Sequence, residues 1–163
     1  MSFFALSLPS PVGSLTLFAN DDALNVVEWG RGPEAPSSPL LDEAAAQLNA
    51  YFDGKLEAFD LPLDPGGTDF QRAVWREMVR IPYGQIRTYG DLSAVLSSSP
   101  RAVGGACGAN PIPIIVPCHR VVGANGKMTG FSGGAGVETK VQLLTLEGAP
   151  LPAPERPEPD LFD

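Results

Sequence analysis

A thiol and an imidazole stand side by side at Cys118 and His119, inside the run I-P-I-I-V-P-C-H-R-V-V-G from Ile112 to Gly123. The chain of 163 residues has one histidine and two cysteines, so this pair uses all of its imidazole and half of its thiol. The chemistry open to such a pair is nucleophilic: a thiolate attacks, and a base or a depressed pKa must supply it. In an extended segment neighbouring side chains point to opposite sides, so a direct Cys118–His119 bond is not expected and a water would bridge them. The imidazole in turn needs a carboxylate to orient it. Between the central run and the C-terminal tail the acids are Glu138 and Glu147. Glu147 closes the last apolar helix, where an unpaired acid near a core would be costly, and it is the acid expected to face His119.

Composition narrows the classes. One histidine and two cysteines cannot furnish a four-ligand structural zinc site of the Cys/His type, and two thiols make no disulfide scaffold. No metal is expected, and a cytoplasmic location is. No stretch of about twenty apolar residues offers a membrane span. The opening M-S-F-F-A-L-S-L-P-S lacks a basic region, contains a proline, and does not read as a signal peptide. The net charge of −8 argues against a polyanionic partner. Its distribution argues otherwise: residues 1–67 hold two basic side chains against ten acidic, and residues 68–150 hold eight against five. The segment carrying Cys118 is the one basic stretch of an acidic chain, as an electrostatic footprint for nucleic acid requires.

The elements that must position these groups follow from periodicity. Phe4, Leu6 and Leu8 alternate, as do Leu15, Leu17 and Ala19, and Leu24 to Trp29 is a third run, with turns at Pro11–Ser14 and Asn20–Asp22 between them. This predicts an antiparallel meander. After a loop over 30–39, Leu41, Ala44, Ala45, Leu48 and Phe52 share a helical face, and Gly54 stops it. Phe59, Leu61 and Leu63 predict one more short strand. Asp64 to Gly67 reads as a linker.

Beyond it the chain turns helical. Thr68 and Gln71 form a capping-box pattern ahead of Phe70, Val74, Met78 and Ile81, and Pro82 ends that helix. Thr88 to Asp91 opens a second helix with Leu92, Val95 and Leu96 inward. Ser99-Pro100 opens a third as N-cap and first residue. Two short helices across a three-residue turn match a helix-turn-helix. The third helix reads R-A-V-G-G-A-C-G, and Gly104, Gly105 and Gly108 each cost up to about 1 kcal/mol against Ala. Such a surface suits close approach by another helix or by the narrow DNA minor groove. Gly123–Gly126 is a turn. Gly130–Gly134 is a glycine-rich loop without the lysine and spacing of a phosphate loop. Val137 to Leu146 is a last helix, and the acidic, proline-rich remainder is expected to be a disordered tail.

The motifs V-P-C-H-R-V-V, R-A-V-G-G-A and N-P-I-P-I upstream, and G-F-S-G-G and L-L-T-L-E-G downstream, resemble the O6-alkylguanine-DNA alkyltransferases, the methylated-DNA–protein-cysteine methyltransferases, from about Thr68 to Gly148. The resemblance implies an α+β fold, with a small antiparallel sheet and helix resembling ribonuclease H before a helical domain with a winged helix-turn-helix. The boundaries it implies are 1–63, a 64–67 linker, a DNA-binding and alkyl-acceptor domain over 68–150, and the tail 151–163. It implies DNA repair by direct reversal: O6-alkylguanine, or O4-alkylthymine, is flipped from double-stranded DNA bound through its minor groove, and its alkyl group passes irreversibly to Cys118 of a monomer, without cofactor.

By the same resemblance His119 deprotonates Cys118 through a water, Glu147 orients His119, and Asn110 holds the turn before the acceptor segment. Tyr89 gives a proton to the leaving guanine, and Arg101 fills the gap left by the base. Ala102, Gly104 and Gly105 meet the DNA. The Ser132 backbone recognises O6, and the carbonyls of Cys118 and Val121 accept from the guanine amino group. Two features depart from some relatives: no His or Cys precedes residue 107, so an N-terminal zinc site is absent, and Gly108 stands where a basic residue can occur. Cys107 reads as a small packing residue. Three rivals compete: an alkylated-DNA sensor, which would lack the acceptor cysteine; a Cys-His hydrolase, whose histidine would stand apart from the cysteine; and a winged-helix transcription factor, which would leave Cys118 and His119 unexplained.

Overall fold

Alternating apolar residues build the first layer. The computed structural model of the chain describes residues 3–128, 134 and 136–151, so Ser132, the rest of its loop apart from Gly134, and the tail after Leu151 lie outside the described residues. Strands β1 (Phe4–Leu8), β2 (Leu15–Ala19) and β3 (Leu24–Trp29) form an antiparallel sheet in that order, with Leu6 opposite Leu17 and Leu17 opposite Val27. The period of two sends Leu15, Leu17 and Leu24 wholly inward.

Helix α1 (Pro39–Phe52) packs on that sheet. Ser38 caps it, accepting from the Leu41 N–H at 3.2 Å, and Pro39 occupies its first turn. Its buried face is Leu41, Ala44, Leu48 and Tyr51. Tyr51, not the expected Phe52, ends the stripe, because its hydroxyl finds a partner inside. The expected strand over Phe59–Leu63 reduces to one parallel bridge between Leu24 and Leu63. Around that bridge the Pro62 carbonyl and the Asp64 N–H bond the backbone of Leu24, both at 2.9 Å, but the pairing goes no further toward Phe59. Gln47 of α1 grips Asp60 through both backbone groups, at 3.0 and 2.9 Å, and Pro62 has no N–H to add to a ladder.

The helical half begins at α2 (Asp69–Val79), whose Thr68/Gln71 capping box is complete. Val74, Trp75 and Met78 are buried. Phe70, expected beside them, is 37% exposed; Trp75 fills the interior and donates its indole N–H to the Ala106 carbonyl at 2.8 Å. Helix α3 (Tyr89–Leu96) carries a second capping box, Thr88 with Asp91, and ends on Ser97 in the left-handed region. Helix α4 (Pro100–Gly108) follows, capped by Ser99, and α3 and α4 pack together as the helix-turn-helix. Val95 is 65% exposed rather than inward, since in this eight-residue helix Leu92 and Ser93 make the buried side.

Two short strands, β4 (Arg87–Thr88) and β5 (Val121–Val122), pair in parallel and tie the front of α3 to the end of the acceptor segment. Helix α5 (Val137–Leu146) buries Thr139, Lys140, Leu143 and Leu144. The architecture is α+β. One apolar core runs through both halves, joining Leu17, Leu48 and Tyr51 to Val74, Met78, Ile115 and Leu143. Among the described residues no helix is long and apolar enough to cross a membrane.

Candidate active site around Cys118

The segment between α4 and Cys118 is held under strain. Asn110 donates its side-chain N–H to the Val116 carbonyl at 2.9 Å and accepts from the Ile112 N–H at 3.0 Å. Within that clamp Ile114 sits at φ 72° while only 1% exposed. A buried β-branched residue in the left-handed region costs about 1–3 kcal/mol and persists only where its surroundings dictate it. The Cys118 N–H donates to the Val116 carbonyl at 2.8 Å. From there the chain is not extended, as expected, but makes a single 3-10 turn over Cys118–Arg120. The reason lies in the hydrogen bonds: the Arg120 N–H reaches back to Pro117 at 3.0 Å, and the Val121 N–H to Cys118. A 3-10 turn sets successive side chains about 120° apart, so Cys118 and His119 diverge here too.

His119 is fully buried and turns to Glu147, with Nε2 2.6 Å from Oε2. The carboxylate is the hub of the site. Its Oε2 also accepts from the Tyr51 hydroxyl at 2.6 Å and from an Arg120 amino group at 3.0 Å; its Oε1 accepts from Arg120 Nε at 2.8 Å and the Gly84 N–H at 3.4 Å. Burial alone would push the Glu147 carboxyl up, but the hydrogen bonds from His119 and Arg120 outweigh it and bring the pKa down to about 2. Burial pushes His119 below its ordinary range, and Glu147 recovers only part of that fall. A neutral imidazole facing an ionised carboxylate carries its proton on Nε2 and a lone pair on Nδ1. That Nδ1 is buried and, among the described residues, has no hydrogen-bond partner, so its lone pair is not taken by another described group.

Cys118 is half-buried. Burial pushes its thiol up, while a hydrogen bond from Asn110 and the charge of Lys140 pull it back. Lys140 is 1% exposed and donates to the Val121 carbonyl at 2.6 Å, with its ammonium 5.9 Å from the centre of the Tyr89 ring. Burial lowers its pKa to about 8. Cys107 is 5% exposed against Met78, and burial pushes it up to about 12, so it is the inert thiol of the two. Replacing Lys140 by Met removes the charge that favours the Cys118 thiolate. Iodoacetamide labelling of Cys118 at neutral pH, followed by peptide mass mapping, is expected to slow by about three- to tenfold, with Cys107 unlabelled in both proteins.

The other expected residues fall in two places. Tyr89 opens α3, partly buried, with its ring beside the Lys140 ammonium. Val121 begins β5, and its carbonyl already accepts from Lys140. Arg101, Ala102 and Gly105 are exposed on α4, with Gly104 partly so. Among the described residues, a Cβ added at Gly104, Gly105 or Gly108 would meet no atom beyond its own stretch of helix within 4 Å. These glycines are therefore not there to let a neighbouring helix approach; their bare backbone faces outward. Ser132 lies outside the described residues. Among the described residues no three His, Cys, Asp or Glu side chains gather to hold a metal ion.

Sequence reasoning missed Tyr51, Arg120 and Lys140. A tyrosine within an apolar stripe and a lysine between buried Thr139 and Leu143 look like ordinary helix residues until their partners, far along the chain, are known. Arg120 gave the clearest available signal, as a base next to the only histidine.

Residues 69–149 match the model of the 6-O-methylguanine DNA methyltransferase DNA-binding domain, and residues 6–65 that family's ribonuclease-like domain. The chain is 45% identical over 150 residues to a methylated-DNA–protein-cysteine methyltransferase of Methanosarcina acetivorans, covering 86% of this chain and 95% of the relative. A Mycobacterium bovis protein of the same name is 44% identical over 156 residues, covering 90% and 93%. The crystal structure of Mycobacterium tuberculosis O6-methylguanine methyltransferase superposes with a TM-score of 0.80 at 41% identity, over 99% of this chain and all of that one. The crystal structure of Mycobacterium tuberculosis OGT in complex with DNA does so with a TM-score of 0.80 at 43% identity, over 92% and 96%.

Proposed function

Since the chain belongs to the 6-O-methylguanine DNA methyltransferase family, we propose that Cys118 is the alkyl acceptor, used once, and that His119 and Glu147 activate it. The activity is that of a methylated-DNA–protein-cysteine methyltransferase, direct-reversal repair in which an alkyl group leaves DNA for a cysteine. The observation that supports the residue assignment is the 2.6 Å contact of His119 Nε2 with Glu147, which turns Nδ1 away from that carboxylate in a 3-10 turn shared with the half-buried Cys118 thiol.

In this reading the lesion is O6-alkylguanine in double-stranded DNA, with O4-alkylthymine as a second target. The base is unstacked before chemistry, since its reacting atom cannot otherwise be reached. The thiol proton passes through a water to His119 Nδ1, and Glu147 balances the imidazolium that forms. The Cys118 sulfur attacks the alkyl carbon; the S–C bond forms as the C–O6 bond breaks. The departing guanine takes a proton from the Tyr89 hydroxyl, which lowers the cost of expelling it. Asn110 holds the acceptor strand, the carbonyls of Cys118 and Val121 receive the guanine amino group, and the Ser132 backbone meets O6. Arg101 fills the vacated stack. Ala102, Gly104 and Gly105 let α4 lie in the minor groove, which the outward-facing bare backbone supports. We divide the chain into a structural domain over 1–63, a linker over 64–67 and the reacting domain over 68–150, acting as a monomer in the cytoplasm. A pure sensor or transcription factor would have no use for the thiol and its relay.

The test is intact-mass spectrometry after incubation with duplex DNA carrying O6-methylguanine. One methyl adduct per molecule is expected, lost in Cys118→Ala. No adduct, or turnover beyond one equivalent, overturns the proposal.

A further inference from the structure

Tyr51 comes from α1, 96 positions before Glu147, yet its hydroxyl lies 2.6 Å from the same carboxylate oxygen that His119 uses. The side chain is fully buried. Its ring packs among Phe52, Phe59 and Tyr83, with centroids 5.3, 5.4 and 6.2 Å away. For such a slot phenylalanine would serve as well, and a buried hydroxyl is kept only where it is bonded. This one is bonded to the hub of the relay.

We infer that Tyr51 is a positioning residue of the alkyl-transfer relay: its hydroxyl fixes Glu147 Oε2 and draws off part of its charge, and so sets how basic His119 is. The inference rests on the reading that His119 activates Cys118. Three donors share that oxygen: the Tyr51 hydroxyl and the His119 Nε2 proton, both at 2.6 Å, and an Arg120 amino group at 3.0 Å. While the Tyr51 hydroxyl occupies Oε2, less negative charge is offered to the imidazole, and the neutral base survives to lower pH. Arg120 provides the constant positive charge, bound to both oxygens. The other titratable groups facing the pair are Tyr83 beside Glu147, with Glu57 behind it, and Lys140 of α5 beside His119. The hydroxyl itself is held protonated, first by burial and then by the Glu147 charge, so it acts only as a donor. The N-terminal half would thus supply a part of the chemistry besides covering the core.

The experiment is the pH dependence of single-turnover alkylation by free O6-benzylguanine, read by intact mass and normalised to the reactive fraction, for the full chain and for Tyr51→Phe. Using the free base keeps DNA binding out of the measurement. Loss of the hydroxyl leaves more charge on Oε2, stabilises the imidazolium, and is expected to raise the acid-side half-point by about half to one pH unit. Phe59→Leu loosens the same packing without touching the bond. It is expected to lower the melting temperature and leave the half-point in place. A half-point unmoved or lowered in Tyr51→Phe, or moved equally in Phe59→Leu, overturns the inference. Wild-type protein that forms no adduct would overturn the acceptor reading instead. A measurement without any substitution then still decides about Tyr51. In the wild type its hydroxyl proton is expected to exchange slowly and to show a nuclear Overhauser contact with the Nε2 proton of the sole histidine. A rapidly exchanging hydroxyl overturns the inference.

Discussion

Glu147→Gln is expected to lower the unfolding free energy at pH 7 by roughly 3 kcal/mol and to slow alkyl transfer by roughly 10²- to 10⁴-fold. The amide keeps the shape but leaves the buried Arg120 guanidinium without its counter-charge, the costliest way to break such a pair. It also gives His119 a neutral partner, so the imidazolium of the proposed relay goes unbalanced. The stability effect has a pH signature. Glu147 titrates near 2 in the folded protein, against an ordinary value of 4.5. Its contribution is therefore complete above about 4.5, fades as the pH falls toward 2, and is gone below that. Urea unfolding of wild type and variant at pH 7, 4 and 3 should give curves that converge on acidification. A gap that stays constant with pH would show that the carboxylate charge is not what stabilises the site.

Arg101→Ala is expected to separate two reactions. Arg101 projects from the first turn of α4, next to exposed Ala102 and one turn from Gly105. If it occupies the gap left by an extruded base, its loss restores an unstacking cost of a few kcal/mol, or a rate about 10²-fold lower on duplex DNA. Reaction with free O6-benzylguanine, which has no stack to leave, should change less than about twofold, within the small scatter of surface substitutions. Rapid-quench rates on both substrates make the comparison. Equal losses would mean that Arg101 supports the fold or the thiol, and the base-replacement role would be withdrawn.

Much of the architecture was open to reading because it is locally encoded. The sheet follows the alternation of Leu15, Leu17 and Ala19, and helices α1 to α4 begin after Ser38, Thr68, Thr88 and Ser99, whose side chains cap them. Local signals failed where a distant group made the decision. Phe59 to Leu63 has strand-like alternation, but Gln47 on α1 takes the backbone of Asp60 first. Phe70 and Val95 satisfy a helical period and still face solvent, because Trp75 and Ser93 take the interior positions. At the site, the contact between His119 and Glu147 was within reach because acids are scarce in that part of the chain. Tyr51 and Lys140 were not, and Arg120 only as a base beside the sole histidine, since the burial of a polar side chain depends on a partner that periodicity does not register.

The spacing of the relay along the chain bears on the order in which a newly made molecule becomes reactive. During synthesis Cys118 emerges before Glu147, and α1 with Tyr51 emerges long before either. A partial chain has the thiol but not the carboxylate that bonds His119, and α5, which brings Lys140, is also still to come. Closing contacts between His119 and Glu147, 28 positions apart, and between Tyr51 and Glu147, 96 apart, needs the whole core in place, and such long-range contacts form late. On the roles proposed above, Cys118 acquires its activating groups only after Glu147 has been made and docked against His119 and Tyr51.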